Sequence, residues 1–221
     1  MLTVHHLNNS RSQRVLWLLE ELEVPYEIKK YDRDANQQAP KELLAINPLG
    51  KSPVITDGDV TLAESGAIVE YLISKYDRNG KFSTLESGYL DNLYFTHYAE
   101  GSLMPLLIQK IIFGIVPKKA PFLVRPLVSI IFGQLEKMII QPEYKRHYEL
   151  IDAHLNKVTS WFAGGDHPTS ADFQMAFPLE AIVTTAPDLA SQKMKEYVKR
   201  VQERPAYKRG IEKGGPYAYA V

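Results

Sequence analysis

The sequence predicts an α/β N-terminal domain built on a mixed sheet, followed by an all-α C-terminal domain. Three observations carry this reading. Over residues 1–76, short β-prone runs alternate with apolar helical runs in the order β-α-β-α-β-β-α. A polar break then falls at Asp77-Arg78-Asn79-Gly80-Lys81. Beyond it, the periodic segments have helical spacing. The expected organisation is a domain at 1–76, a linker at 77–87 and a helical domain at 88–221.

The elements follow in order. Residues 2–7 are short and β-prone, and Asn8-Asn9-Ser10 makes a polar turn. Ser10 and Ser12 are both suitable helix caps. Residues 14–22 place Val15, Leu16, Leu18, Leu19 and Leu22 on a wide apolar face, and Pro25 ends that helix. Residues 26–31 alternate as a second strand. Residues 40–46 form a short helix opening on a proline, where the missing N–H does no harm. Residues 52–55 and 60–62 are strands joined by the turn Asp57-Gly58-Asp59, and residues 64–74 are a helix.

In the second half, residues 89–107 carry the aromatics Tyr94, Phe95 and Tyr98. Residues 148–162 are amphipathic. Thr169 and Asp172 have the spacing of a capping box, and residues 193–203 form a last helix that stops before Pro205. No internal repeat or low-complexity segment interrupts the chain.

Composition narrows the chemistry. With 221 residues and 45% hydrophobic content, the chain can bury one large or two small cores. Lys+Arg and Asp+Glu both total 26, so there is no net charge with which to neutralise a nucleic-acid backbone. There is no cysteine, which removes disulfides, thiolate metal sites and a cysteine nucleophile. Thiol chemistry, if present, must come from a bound ligand. No metal site is expected. The N-terminus lacks the basic and apolar regions of a signal peptide. The apolar zone at 103–140 is interrupted by Lys110, Lys118, Lys119, Arg125 and four prolines. It holds no unbroken apolar run of ~18 residues, and a cytoplasmic location is the expectation.

The most informative stretch is Asn47-Pro48-Leu49-Gly50-Lys51-Ser52-Pro53-Val54-Ile55, with Ala63-Glu64-Ser65-Gly66-Ala67-Ile68 shortly after it. Ser52-Pro53 is either an ordinary trans proline at a strand start or a cis bond that turns the Ser52 backbone outward. Only ~5% of X-Pro bonds in folded proteins are cis. Lys51 is either a solvated turn charge or a holder of a carboxylate. Glu64-Ser65 either caps the next helix or leaves its N-terminus open to an anion. Ser10 is either a helix cap or a hydroxyl donor to a ligand thiolate, whose free pKa of ~8.5 such surroundings lower. Ser12, Asn8 and Asn9 compete for that role. His5 and His6 point to opposite faces of the first strand. There is no Gly-x-Ser-x-Gly elbow, P-loop or His-Glu-x-x-His motif.

Asn-Pro-x-Gly-Lys-x-Pro-Val and Glu-Ser-x-Ala-Ile, in this order and spacing, resemble the cytosolic glutathione transferase superfamily. The resemblance extends over nearly the whole chain. It implies the glutathione transferase fold: an α/β thioredoxin-like N-terminal domain plus an all-α C-terminal domain. It implies that Pro53 is cis and that the Ser52 backbone pairs with the cysteinyl part of glutathione. Glu64 and Ser65 would hold the γ-glutamyl end, and Lys51 the glycyl carboxylate. Gln38 falls where some theta-like members have a histidine for that carboxylate. Ser10 would be the thiolate-stabilising serine of theta-like and zeta-like members. The chain lacks the tyrosine and cysteine of other classes, and the zeta signature is incomplete; the pattern is most similar to fungal and bacterial members.

The implied activity is conjugation of glutathione, as co-substrate, to a hydrophobic electrophile, with peroxidase activity toward hydroperoxides and a role in detoxification. A glutathione-dependent disulfide or peroxide reductase, or a non-catalytic ligand carrier on the same fold, are the rival readings. A homodimer is implied. The electrophile site is expected between the domains, with Tyr98, Ser102, Met104 and Phe113 as candidates. Glu100 is a candidate for reaching the partner's γ-glutamyl amine. The apolar segment 108–140 reads, in order of preference, as a cover over a greasy substrate site, a subunit contact or a membrane-surface contact.

Overall fold

The computed structural model describes residues 1–36 and 38–220. Its sheet has four strands in the order β2-β1-β3-β4. Strand β1 (Leu2–Leu7) lies parallel to β2 (Tyr26–Tyr31), in register from Leu2 opposite Tyr26 to Leu7 opposite Tyr31. On its other side it runs antiparallel to β3 (Val54–Asp57), with His5 opposite Val54. β4 (Val60–Ala63) returns from β3 through Gly58-Asp59, with Gly58 at φ 62. That left-handed position suits glycine, as a two-residue hairpin loop requires. The central strand is buried on both faces: Val4, His5, His6 and Leu7 are all enclosed.

Helix α1 (Ser12–Leu22) makes the crossover from β1 to β2. It is buried along every residue from Ser12 to Glu21, beyond the one wide face its sequence predicts. The additional cover is a helix that the sequence reading missed. After α2 (Lys41–Leu44), α3 (Ser65–Tyr76), α4 (Tyr89–Tyr98), α5 (Met104–Lys119), α6 (Arg125–Leu135), α7 (Gln141–Lys157), α8 (Ser170–Thr185) and α9 (Gln192–Glu203), the chain forms α10 (Pro205–Gly214). Helix α9 ends at Glu203, before Pro205 as expected, but it is not the last: Pro205 occupies the first turn of α10, where proline is tolerated. A Cβ on Gly210 would stand 3.3 Å from the Trp17 backbone nitrogen, so the glycine sets the close approach of α10 to α1. Glu20 and Glu21 of α1 are then held by Arg209, Lys213 and Arg204.

Helix α7 ends at Lys157, five residues short of the predicted end at 162. The cause is α8. Thr169 and Asp172 form the expected capping box, and the buried Asp172 carboxylate also accepts the Phe162 N–H at 2.9 Å and the Tyr197 hydroxyl at 3.0 Å. Phe162 is thereby drawn out of helical continuation. A single core runs through both halves, from Leu2 and Val4 through Trp17 to Phe173, Tyr197 and Tyr207. Trp17 lies 4.5 Å from Phe173 between ring centroids.

Helices α4 and α5 are joined by a π-helical segment (Ala99–Leu103) into one continuous run, and a second such segment (Glu136–Ile140) links α6 to α7. The run Glu86–Lys119 is long and apolar enough by length and composition to cross a membrane, although the sequence shows no unbroken apolar stretch. Only 22% of its apolar window is buried, so it is not simply a core helix. Its middle does belong to the core, through Phe95, Tyr98, Leu103, Met104 and Leu107.

Asp172→Ala leaves the buried Phe162 and Thr169 N–H groups without an acceptor and should cost ~3 kcal/mol of unfolding free energy in urea titrations. A second prediction concerns Glu180, which is buried and accepts from Tyr207, Tyr217 and Gln202. Burial outweighs these donors and lifts its carboxyl from 4.5 to about 7. The folded state therefore holds this proton more tightly than the unfolded chain. Stability should fall by ~3 kcal/mol as pH rises from 4.5 to about 7, and Glu180→Gln should flatten that part of the profile.

Candidate functional site

Two adjoining hollows of about 350 and 310 Å³ share Arg11, Lys51 and Ser52 as common walls and form one cleft. Ser10, Gln38, Lys51 and Ser52 border the first; Lys51, Ser52, Pro53, Glu64 and Ser65 border the second. Ser10, Gln38, Lys51, Ser52, Pro53, Glu64 and Ser65 thus border one cleft. Lys51, Glu64 and Gln38 are exposed, whereas Ser10, Pro53 and Ser65 are buried.

The turn before β3 is fixed by local bonds. The Asn47 amide donates to the Lys51 carbonyl at 3.0 Å, and its oxygen accepts the Leu49 N–H at 3.2 Å. Gly50 has φ 60, and a Cβ there would press on Leu44 and Ala39 at 3.0 and 3.1 Å. The Ser52–Pro53 bond is cis, the form that residue spacing alone did not favour. The Ser52 hydroxyl donates to the His5 carbonyl at 2.8 Å and accepts the Leu7 N–H at 3.2 Å, tying the turn to β1.

Helix α3 opens into the cleft without a side-chain cap. Simple capping by Glu64-Ser65 is therefore not what these residues do. Glu64 sits at φ 71, outside the helix, and Ser65 is its first residue. The Ser65 hydroxyl accepts from Arg14 at 3.2 Å and donates to Gln174 at 3.3 Å. First-turn N–H groups left without a side-chain acceptor, at the positive end of the helix dipole, suit an anion.

Ser10 lies where β1 gives way to α1. Its oxygen accepts the Ser12 N–H at 3.2 Å, so it closes a local turn, but α1 itself has no side-chain cap. The Ser10 and Ser12 hydroxyls are 2.8 Å apart, and Ser12 lies 2.7 Å from His6 Nδ1. Burial, with Lys30 nearby, lowers His6 to about 4, so its ring is neutral at neutral pH. With the proton on Nδ1, His6 donates to Ser12, Ser12 donates to Ser10, and Ser10 keeps its own proton for the cleft. The other tautomer reverses the chain and turns the Ser10 proton inward. The competing Asn9 has φ 47, and its side-chain oxygen accepts the Ala218 N–H at 2.8 Å.

Beneath the cleft lies a group that sequence reading missed. Arg14 is fully buried and bridges four elements: it donates to Ser65 of α3, to Glu100 of the π-helical segment at 2.8 Å and to Gln174 of α8. Its guanidinium also faces the Phe177 ring at 5.3 Å. The available signal was a cation in the first turn of α1, immediately before the apolar run from Val15 to Leu19. Glu100, the candidate for reaching a partner's ligand, borders its own chain's cleft, where it is one-third exposed and binds Arg11 at 2.8 Å as well as Arg14. The apolar walls come from Phe177 and Ile108. The expected electrophile-site residues lie elsewhere. Tyr98 and Ser102 line an outward groove with Leu90 and Leu93, Met104 is in the core, and Phe113 packs on Phe132 at 5.3 Å. Among the described residues, no group of three or more side chains has the make-up of a metal site.

Arg14→Ala leaves the buried Gln174 carbonyl with only the Ser65 hydroxyl at 3.3 Å as donor and should cost ~1–3 kcal/mol in equilibrium unfolding. Arg14→Met combined with Gln174→Leu removes both partners of that buried bond and should recover part of the loss.

Residues 1–74 match the family model described as "Glutathione S-transferase, N-terminal domain". The chain is 37% identical to "Glutathione S-transferase 3" of Schizosaccharomyces pombe, over 96% of this chain and 88% of that protein. It is 33% identical to "Glutathione S-transferase 1" of Saccharomyces cerevisiae, covering 81% and 80%. A glutathione S-transferase structure from Actinobacillus pleuropneumoniae superposes with a TM-score of 0.75 at 29% identity, over 99% of this chain and 94% of that one. The fold is shared with the glutathione transferase URE2P8 from Phanerochaete chrysosporium, solved with oxidized glutathione, at a TM-score of 0.71 and 21% identity over 96% and 94%. A relative this similar over nearly the full length, together with the four-stranded sheet and helical second half, shows that the chain belongs to the glutathione S-transferase family.

Proposed function

We propose that the cleft binds glutathione and that the protein adds its thiolate to small hydrophobic electrophiles. The observation that carries this is the meeting of Ser10, Lys51 and the uncapped N-terminus of α3 along one cleft. The ligand's two carboxylates are then met at opposite ends. Lys51, with Gln38 beside it, receives the glycyl carboxylate. The α3 N–H groups and Ser65 receive the γ-glutamyl carboxylate, and Glu64 accepts from its ammonium. The Ser52 backbone pairs with the cysteinyl residue between them, as the relatives' names and the cleft's order support.

Ser10 then lies at the thiol. Its hydroxyl donates to sulfur and stabilises the thiolate, while the proton leaves to water. The thiolate forms a bond to the electrophilic carbon as the leaving group departs with its electron pair. Lowering the thiol pKa by two units below ~8.5 requires ~3 kcal/mol of preferential stabilisation of the anion. One well-placed donor in a partly water-excluded cleft supplies an effect of that order. Phe177 and Ile108 offer apolar surface to the electrophile. In this reading residues 1–76 supply the glutathione half and residues 88–221 the electrophile half. The exposed strip Leu90, Leu93 and Tyr94 on α4 is the surface that a second copy would cover in a homodimer.

An ultraviolet difference titration of bound glutathione checks this. Wild type should show the thiolate band well below pH ~8.5. Ser10→Ala should lose it, with kcat reduced ~100-fold and glutathione KM little changed. Unaltered turnover in Ser10→Ala would move the role to Asn9, Ser12 or backbone N–H groups. Absence of glutathione binding in calorimetry would overturn the reading itself.

A further inference from the structure

Beyond Leu107 the α5–α6 hairpin lies largely outside the core, although Phe113 packs against it and Lys110 sits over the Tyr144 ring. Met104, Leu106 and Leu107 of α5 are buried, but no residue from 108 to 139 is, and α6 has none. The two helices form a hairpin held by contacts such as that between Phe113 and Phe132, and its tip is residues 120–124. At that tip Phe122 is 81% and Leu123 89% exposed. Further apolar side chains stand in solvent on both arms, among them Ile111 and Ile115 on α5 and Leu127 and Ile130 on α6. Isolated exposed apolar residues are ordinary, but a continuous set of this size marks a surface built to be covered.

Charge decides what covers it. In a chain with equal numbers of acidic and basic residues, 101–135 contains no Asp or Glu, yet it carries Lys110, Lys118, Lys119 and Arg125. Three of these cations flank the tip. Arg125 is held there by two bonds of 3.3 Å to the Ala120 carbonyl. Among the described residues Lys118 and Lys119 form no ion pair. A second copy docked tip to tip would bring these cations against their own counterparts. A bilayer rich in anionic phospholipid offers the opposite: hydrocarbon for Phe122 and Leu123, and phosphates and carboxylates for the surrounding ring of cations.

The arms are too short to span. Helix α6 has 11 residues and rises ~16 Å, about half of a ~30 Å hydrocarbon layer. The long run Glu86–Lys119 cannot cross either, because its middle lies in the core and Glu100 borders the cleft.

We propose that the α5–α6 hairpin is a docking device for an anionic phospholipid surface, with Phe122 and Leu123 entering one leaflet and Lys118, Lys119 and Arg125 lying at the headgroups. Since α5 passes the cleft at Ile108 before reaching the tip, docking holds the cleft close to the bilayer. The inference does not depend on what the cleft binds.

Flotation of the full-length protein with vesicles of phosphatidylcholine alone, or of phosphatidylcholine mixed with phosphatidylserine, tests this. Wild type should float with the anionic vesicles and release as salt rises. Phe122→Ser with Leu123→Ser, and separately Lys118→Glu with Lys119→Glu, should each weaken partitioning; the charge reversal should do so by about 30-fold or more. Melting temperatures should be unchanged, because these side chains lie outside the core. Phe122→Trp should give a blue-shifted emission on anionic vesicles only. The proposal is overturned if wild type ignores anionic vesicles, or if both double variants float like wild type. It is also overturned if the Phe122/Leu123 variant instead loses a concentration-dependent dimer while wild type binds no vesicles.

Discussion

The structure turns on a single buried cation. Arg14 projects from α1 into the space where α1, α3, α8 and the π-helical segment between α4 and α5 converge, and it donates to a side chain from each of the latter three. A guanidinium out of water is costly, and here all three bonds come from Nη1 while Nε and Nη2 lie buried without a partner among the described residues, so Glu100 and the two neutral acceptors offset only part of that cost. Burial lowers its proton affinity, and Glu100 opposes that. The contact surface between the sheet-bearing half and the helical half is thereby organised around a polar rivet within an otherwise apolar core.

The same rivet forms the floor of the cleft. Ser65 and Glu100, both bound by Arg14, also border it, and Arg11 on the next turn shares Glu100. Fixing the two halves and shaping the anion-receptive end of the site are thus one structural act. At the other end of the cleft, His6, Ser12 and Ser10 form a short chain of hydroxyls anchored on a neutral imidazole. The direction of one proton on that ring decides whether Ser10 offers its hydrogen to the cleft.

The helical half divides its labour. Helices α8, α9 and α10 are secured by buried carboxylates: Asp172 beneath Phe162, Thr169 and Tyr197, and Glu180 beneath Tyr207 and Tyr217. Beyond Leu107 the α5–α6 hairpin adds little to that core and leaves most of its apolar side chains outside it. The preferred sequence reading made this segment a cover over the substrate site. Ile108 borders the cleft described here, Phe113 packs against the core and Ile140 lies within it, while most of the stretch between stands outside the core.

Local chemistry was legible from the chain itself. Strands β1 and β2, the Gly58-Asp59 hairpin and the Thr169–Asp172 box depend on residues close in sequence, and the order Asn47 to Pro53 followed by Glu64-Ser65 sufficed to pick out residues that meet at one cleft. What tertiary structure decided were matters of partnership across long separations. Pro205 marks the end of one helix in the sequence, and that it also opens another is decided when α10 meets α1 through Gly210. Residues 158–162 have a helical pattern, but Asp172 takes the Phe162 N–H. Arg14 has no marked role in the sequence until Ser65, Glu100 and Gln174 converge on it, and Glu100 is tied to Arg11 and Arg14 only once the chain has folded. Periodicity and turn chemistry are properties of neighbouring residues, whereas the burial of a charge is settled only by which distant groups arrive to pair with it.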